Sequence, residues 1–370
     1  VPNSTASEFD CFMRFLLAVF FLLLSAFRAS AEPIKVGAIV SLSGPAAEQG
    51  RNWLQGAELA QARLLQEGVR VDLRVEDDGT RPAGAASAFT KLVTQDKVLG
   101  MLGGTWDFLA EALAPLVKRY GIPFITPTNP VEVFSRDTKA VPNFFTNGLS
   151  IRATEEAIVK ILPTSGELSI SLVVPNVPFG ALHGDIFRRL SASGRSRIIS
   201  ETVFDYVGYH DTLKAAATKI AIQNPRVVFC LTDYTGLNVF VTELRRRNYS
   251  GLVLTTQHLD EAAKLAKDSA RFRNVIGFYP LVKDDSFQAA FKARFGRNPK
   301  VFAAEGYDAL LALGRALASS IDLRSQPFEF AGVTGKIKIE PGRTEIVNLE
   351  AVPMIVGAEG ELQPWSESAT

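Results

Sequence analysis

Cysteine is almost missing from this chain: Cys11 and Cys230 are the only two in 370 residues. That excludes a disulfide-built scaffold and a cysteine-rich zinc module. The three histidines, His183, His210 and His258, lie far apart and form no zinc spacing. Excess charge is missing too. Forty Lys and Arg offset 39 Asp and Glu, a net charge of +1, and the basic residues are scattered, so a nucleic-acid partner is not expected. No GxSxG elbow and no GxxxxGK[ST] phosphate loop occurs. LSGPAAEQG (42–50) opens a helix after a strand but lacks the Gly-x-Gly-x-x-Gly spacing of a dinucleotide site. With no nucleophile or tuned acid–base pair in evidence, neither an enzyme nor a cofactor is expected. Glu76, Asp77 and Asp78 form a dense carboxylate run, but neighbours along a strand point to opposite faces. A cap at the strand end is expected of them, and no metal site.

What the chain does have begins at its start. Met13 and Arg14 precede an apolar run from Phe15 to Leu24, and Ala29-Ser30-Ala31 follows. This pattern is an export signal cleaved before Glu32, so residues 1–31 are expected to be a precursor extension and signal peptide. The run is too short to span a bilayer comfortably, and no stable membrane insertion is expected after cleavage. Residues 1–12 are polar and unlike the start of a signal, so translation is expected to begin at Met13. The expected location is the periplasm. Cleavage would remove Cys11 and leave Cys230, within the apolar run VVFC, as a buried thiol.

Beyond residue 32 short apolar runs alternate with helical periods. IKVGAIVSL, VRVDLRVEDD, VLGMLG and FITPTNP read as strands separated by amphipathic stretches. A second series, SISLVVPN, RIISETVFDY, RVVFCLTD and GLVLTTQ, begins after FFTNGLS. NVIGFYPLV, two more helices and hairpin strands turned by Pro341-Gly342 complete the chain. Such alternation means an α/β fold with two mainly parallel sheets. Ligands bind such sheets at the carboxyl ends of the strands. The polar turns SLSGPAAEQG, GGTWD, TPTNP, PNVPFG, LTDYTG and TTQHLD all fall there.

The ordered series IKVGAIVSLSGPAAEQGRNWLQGAELA, VEDDGTRPAGAASAFTKLVTQDKVLGMLG, APLVKRYGIPFITPTNP, PFGALHGDIFRRL, FKARFGRNP and FAAEGYDALLALGRAL with FAGVTGKIKI resembles a known family. It is similar to periplasmic solute-binding proteins of the branched-chain amino-acid type, the receptors of ABC importers. The resemblance runs from Ile34 to about Gly360. It implies two Rossmann-like three-layer lobes joined by a three-crossover hinge, the type I periplasmic binding fold. Crossovers are expected near 146–150, 275–280 and 330–334. Lobe one is then 32–149 plus 278–331, and lobe two 150–277 plus 332–370.

The resemblance also implies site residues. Gln49 stands where the family has an aromatic in the first turn, and Trp106 and Asp107 where it has a serine pair. Thr126, Thr128 and Asn129 correspond loosely to its Ser-Ala-Thr segment. Phe179 replaces the lid tyrosine, a second tyrosine falls on Asp233 or Tyr234, and Gln257 takes the place of the acid that meets an ammonium. A glutamine amide compensates a desolvated ammonium only weakly. Either Asp107 or Asp233 replaces that acid, or the ligand has no amino group. Read as residues alone, Trp106 suits a pocket wall or a packed structural position, and Asp107 an N-cap. Free N–H groups at that helix start, with Thr128, suit a ligand carboxylate. The expected function is a receptor that closes on a small carboxylate, such as an amino acid or aromatic acid, and delivers it to a membrane permease. The alternative is a periplasmic sensor presenting a small ligand to a receptor or regulator.

Overall fold

The computed structural model describes residues 32–129, 141–163, 167–282, 284–347, 349–358 and 360–366. The expected leader, 1–31, lies outside the described residues. The first lobe carries β1 (Ile34–Val40), α1 (Ala47–Gln66), β2 (Val71–Asp77), α2 (Pro82–Lys91), β3 (Gly100–Gly103), α3 (Asp107–Tyr120), β4 (Phe124–Thr126) and β5 (Phe144–Thr146). The second carries α4 (Ile151–Ile161), β6 (Ser169–Pro175), α5 (Pro178–Ala192), β7 (Arg197–Phe204), α6 (Tyr209–Gln223), β8 (Val227–Cys230), α7 (Tyr234–Arg246), β9 (Leu252–Thr255), α8 (Leu259–Ala266) and β10 (Val275–Pro280). The chain then returns to the first lobe for α9 (Asp285–Phe295), α10 (Ala303–Ala318) and the strands β11 (Phe328–Ala331) and β12 (Lys336–Ile339). It ends in the second lobe with β13 (Ala351–Val356) and β14 (Leu362–Pro364).

Both sheets are doubly wound. The first runs β2-β1-β3-β4-β5, all parallel, and the second runs β7-β6-β8-β9-β10, parallel, then β13 and β14 antiparallel. Strand order therefore reverses between β1 and β3 in one lobe and between β6 and β8 in the other, where a crevice opens at the strands' carboxyl ends. Alternate residues explain the three layers. Val36, Ala38 and Val40 of β1 pack beneath α1 and α10, while Ile39 turns to the opposite face with Phe89 and Leu113. In the second lobe Val228 and Cys230 face α6 and α7, and Val227 and Phe229 face α4 and α5. Cys230 is buried, and burial pushes its thiol up.

Two glycines let α1 and α10 touch. A methyl group on Gly56 would lie 1.8 Å from the carbonyl oxygen of Ala303, and one on Gly306 would lie 2.1 Å from the Trp53 ring. The C-terminal strands depart from expectation. β11 and β12 are turned by residues 332–335, not by Pro341-Gly342, which turns the chain after β12 toward the edge of β5. Asp308 of α10 holds the first turn, accepting from Val333 N at 2.9 Å and from Thr334 N at 2.8 Å. Ile337, Ile339 and Ile346 are buried in the first lobe's core, so the chain leaves that lobe after Val347, later than the crossover expected near 330–334.

Candidate functional site: the cleft between the lobes

The carboxylate run at the end of β2 builds the first wall. Asp77 accepts from the backbone of Leu42 at 2.9 Å and Gly79 at 2.8 Å, and from the Ser43 hydroxyl at 2.6 Å. Asp78 accepts from the Ser41 hydroxyl and from Thr80 N, each at 2.7 Å. These bonds fix the turn between β1 and α1. A methyl group on Gly50 would stand 1.9 Å from the Ser41 carbonyl oxygen, so only glycine lets α1 start against that turn. Gln49, buried in its first turn, is thereby brought into the cleft.

Trp106 closes β3 and precedes α3, where no side chain caps the helix. Its indole N–H donates to Gln49 Oε1 at 2.7 Å. Asp107 is the first helical residue and not the expected N-cap; its Oδ1 accepts from Asn129 N at 2.8 Å, across the turn after β4. Burial, reinforced by the charge of Glu111, pushes the Asp107 carboxyl up to about 7. Asn129 in turn donates from Nδ2 to the Leu149 carbonyl at 2.6 Å. The Thr128 hydroxyl is bonded to that of Thr126 at 2.9 Å.

The second lobe supplies aromatic rings and two histidines. Phe179 lies in the first turn of α5, a helix whose start also lacks a side-chain cap. Its ring meets His183 edge-on, with centroids 4.3 Å apart. His183 Nδ1 lies 3.0 Å from the Phe179 carbonyl, an acceptor, so that nitrogen carries the proton. Burial lowers His183 to about 4, and the ring is neutral. Asp233 caps α7: Oδ1 accepts from Thr235 N at 2.7 Å and Gly236 N at 3.0 Å, and Oδ2 from the Tyr209 hydroxyl at 2.5 Å. Burial works against this carboxylate, but the bonds from Thr235, Tyr209 and Gly236 outweigh it and hold Asp233 below its ordinary range. Both its oxygens are thus engaged.

The walls enclose two joined cavities that share Trp106, Asp107, Phe179 and His258. One, about 650 Å³ with its open mouth, also takes in Gln49, Thr128, Asn129 and Gln257. The other adds Phe108, Tyr206 and Asp233. Of the residues expected in the site, Thr126 and Tyr234 line neither cavity; Thr126 is buried behind Thr128, to which its hydroxyl is bonded, and half-buried Tyr234 packs against the edge of the second lobe's core. Lining residues not expected there include Thr105, His183, Tyr206, His258 and Phe302. Thr105 and Tyr206 sit just beyond strand ends, the position that marked their neighbours. Phe302 gives no sequence signal: it adopts φ 71°, the left-handed region, as the residue before α10. Among the described residues no group of three or more His, Cys, Asp or Glu side chains is placed to hold a metal ion.

Two lobes with a lined cleft at both topological switch points define a bilobed solute-binding protein. The chain belongs to the periplasmic binding protein family, whose model matches residues 33–337. It is a non-catalytic binding protein of the type I fold, and the family is wider than the branched-chain amino-acid type alone. The chain is similar to the branched-chain amino acid transporter substrate-binding protein LivJ of Streptococcus pneumoniae, solved in complex with isoleucine. That likeness has 20% identity, 90% of this chain and 98% of that one covered, and a TM-score of 0.75. It is similar also to an ABC transporter solute-binding protein of R. palustris in complex with benzoate, with 20% identity, coverage of 90% and 96%, and a TM-score of 0.71. A third, from Rhodopseudomonas palustris BisB5 in complex with 3,4-dihydroxybenzoic acid, is 18% identical over 90% and 95%, with a TM-score of 0.70.

Proposed function

We propose that this protein is the extracytoplasmic receptor of an ABC importer for a small aromatic carboxylate without an ammonium group, which it delivers to a membrane permease. The observation that carries the reading is the state of the carboxylates at the cleft. Asp233 has both oxygens committed, Asp107 is held up to about 7, and Gln257 stands where an acid would meet an ammonium. An ammonium beside Gln257 would lose its hydration and meet only Asp107, whose charged form burial disfavours, while the charge of Asp233 is already taken up by its own hydrogen bonds. The uncapped first turns of α3 and α5 offer N–H groups for a carboxylate, one from each lobe. Trp106, Tyr206 and Phe179 offer ring faces and edges for an aromatic body. The solved relatives that hold benzoate and 3,4-dihydroxybenzoic acid support this class, and the one that holds isoleucine supports the carboxylate more broadly. Export through the leader, with cleavage before Glu32, places the receptor in the periplasm in this reading. Ligand bridging the lobes favours the closed form, which the permease recognises.

A thermal-shift panel of residues 32–370 with benzoate, phenylacetate, leucine and isoleucine tests the proposal. A bound acid at one hundred times its dissociation constant adds about 2.7 kcal/mol of apparent stability. Stabilisation by the aromatic acids and not by the amino acids is expected. A response to leucine and isoleucine alone overturns the amine-free reading.

A further inference from the structure

The hydrogen bonds around Gln49 run in one direction. The indole nitrogen of Trp106 carries a proton and no free lone pair, so it only donates. Its acceptor, 2.7 Å away, is therefore the amide oxygen of Gln49. With the oxygen committed, the amide NH2 faces His258 Nδ1 at 2.8 Å and has only protons to offer. His258 Nδ1 accepts, and the neutral ring carries its proton on Nε2. Trp106 and Gln49 belong to the first lobe and His258 to the second, so the chain forms only where the lobes meet. His258 borders both cavities, and among the described residues nothing is hydrogen-bonded to its Nε2.

We propose that Gln49 is a positioning residue: held by Trp106, it fixes His258 in the Nε2–H tautomer and gives the second lobe a neutral donor for the ligand's carboxylate on closure. This rests on the carboxylate reading above and deepens it. The role of the second lobe becomes chemical as well as aromatic, because a lone pair at Nε2 would repel the same carboxylate. Burial keeps His258 below its ordinary range against the charges of Asp233 and Asp260, so near neutrality the tautomer and not a charge decides what the ring presents. Asp107 borders the same cavities and adds its own pH dependence to binding.

Gln49→Glu separates these contributions. Its carboxylate only accepts, so it demands protons from Trp106 and from His258 Nδ1 together. In the mutant, His258 is an imidazolium at low pH and an Nδ1–H ring, lone pair toward the cleft, at high pH. Histidine-labelled protein read by ¹⁵N NMR with benzoate present should show Nδ1 unprotonated in the wild type and protonated in Gln49→Glu. Benzoate affinity of the mutant should lie within about threefold of wild type at pH 6 and fall at least tenfold below it at pH 9. Both proteins are compared on an Asp107→Asn background, so the titration of Asp107 does not enter the ratio. Gln49→Met, which neither donates nor accepts, should lose affinity by a factor that does not change with pH. Nδ1–H in the wild type overturns the tautomer, and this reading needs no variant. A Gln49→Glu to wild-type ratio that stays constant with pH overturns the role toward the ligand. If the wild type binds no carboxylate, the function proposed above fails and the ligand role with it, while the Nδ1 signal still decides the tautomer.

Discussion

The indole of Trp106 and the ring of Tyr206 stack across the cleft, centroids 6.3 Å apart and planes 26° from parallel. One ring belongs to the turn after β3 and the other to the turn after β7, so each lobe contributes half of an aromatic pair. Phe108 meets the same indole edge-on at 5.9 Å. Such pairs are worth about 0.5–1.5 kcal/mol beyond the area they bury. Tyr206→Leu, which keeps apolar bulk and removes the ring, is expected to weaken benzoate binding about three- to tenfold by calorimetry. An unchanged affinity would remove Tyr206 from the wall.

Asp233 ties the turn after β8 to α6 and α7 through Tyr209, Thr235 and Gly236. Asp233→Ala loses the cap of α7 and is expected to cost about 1–2 kcal/mol in urea unfolding at pH 7. The folded carboxyl titrates below its ordinary value, so this stabilisation is present above about pH 4. It is lost as pH falls through the folded value, so the stability gap between mutant and wild type should narrow on acidification.

Glu305 behaves in the opposite sense. It is 2% exposed on α10, its Oε1 has no hydrogen-bond partner among the described residues, and burial with the charge of Asp308 pushes its carboxyl up to about 7. The folded chain then holds a proton between its ordinary value of 4.5 and about 7 that the unfolded chain has released, so stability falls as pH rises across that window. Glu305→Gln should abolish this fall and raise stability at pH 8 by roughly 2–3 kcal/mol, with little effect at pH 4. Denaturant unfolding at both pH values measures the difference.

Gly306→Ala drives a methyl group into Trp53, a side chain with no solvent exposure. The α1–α10 contact has no slack, and overpacking of this kind costs about 1–3 kcal/mol. A lower melting temperature is expected, with the cleft residues of the second lobe unaffected. Wild-type stability would mean that α10 shifts freely.

The α/β alternation was readable because each strand is an apolar run and each helix an amphipathic period. β5 escaped because its three residues have no helical period before them to mark a strand, as α3 marks β4, and α8 because eight residues carry too little pattern. The register of β11 with β12 depends on Asp308, 25 residues before the turn it holds. The cleft was legible as a set of strand-end turns, which is why Trp106, Phe179 and Gln257 line it, while Tyr234, one residue past its cap, lies half-buried against the edge of the second lobe's core. Partnerships across the cleft were not legible. Gln49 and His258 lie 209 residues apart, and only the packing of one lobe on the other brings an amide against that ring.

Calorimetry with 3-phenylpropanoate and phenylalanine tests the central claim most directly, because the two ligands differ only in the ammonium group. Saturable binding of 3-phenylpropanoate, at least tenfold tighter than phenylalanine at pH 7, is the result expected of a cleft in which Asp233 is already hydrogen-bonded and burial disfavours the charge of Asp107. Tighter binding of phenylalanine, or no binding of either acid, would contradict it.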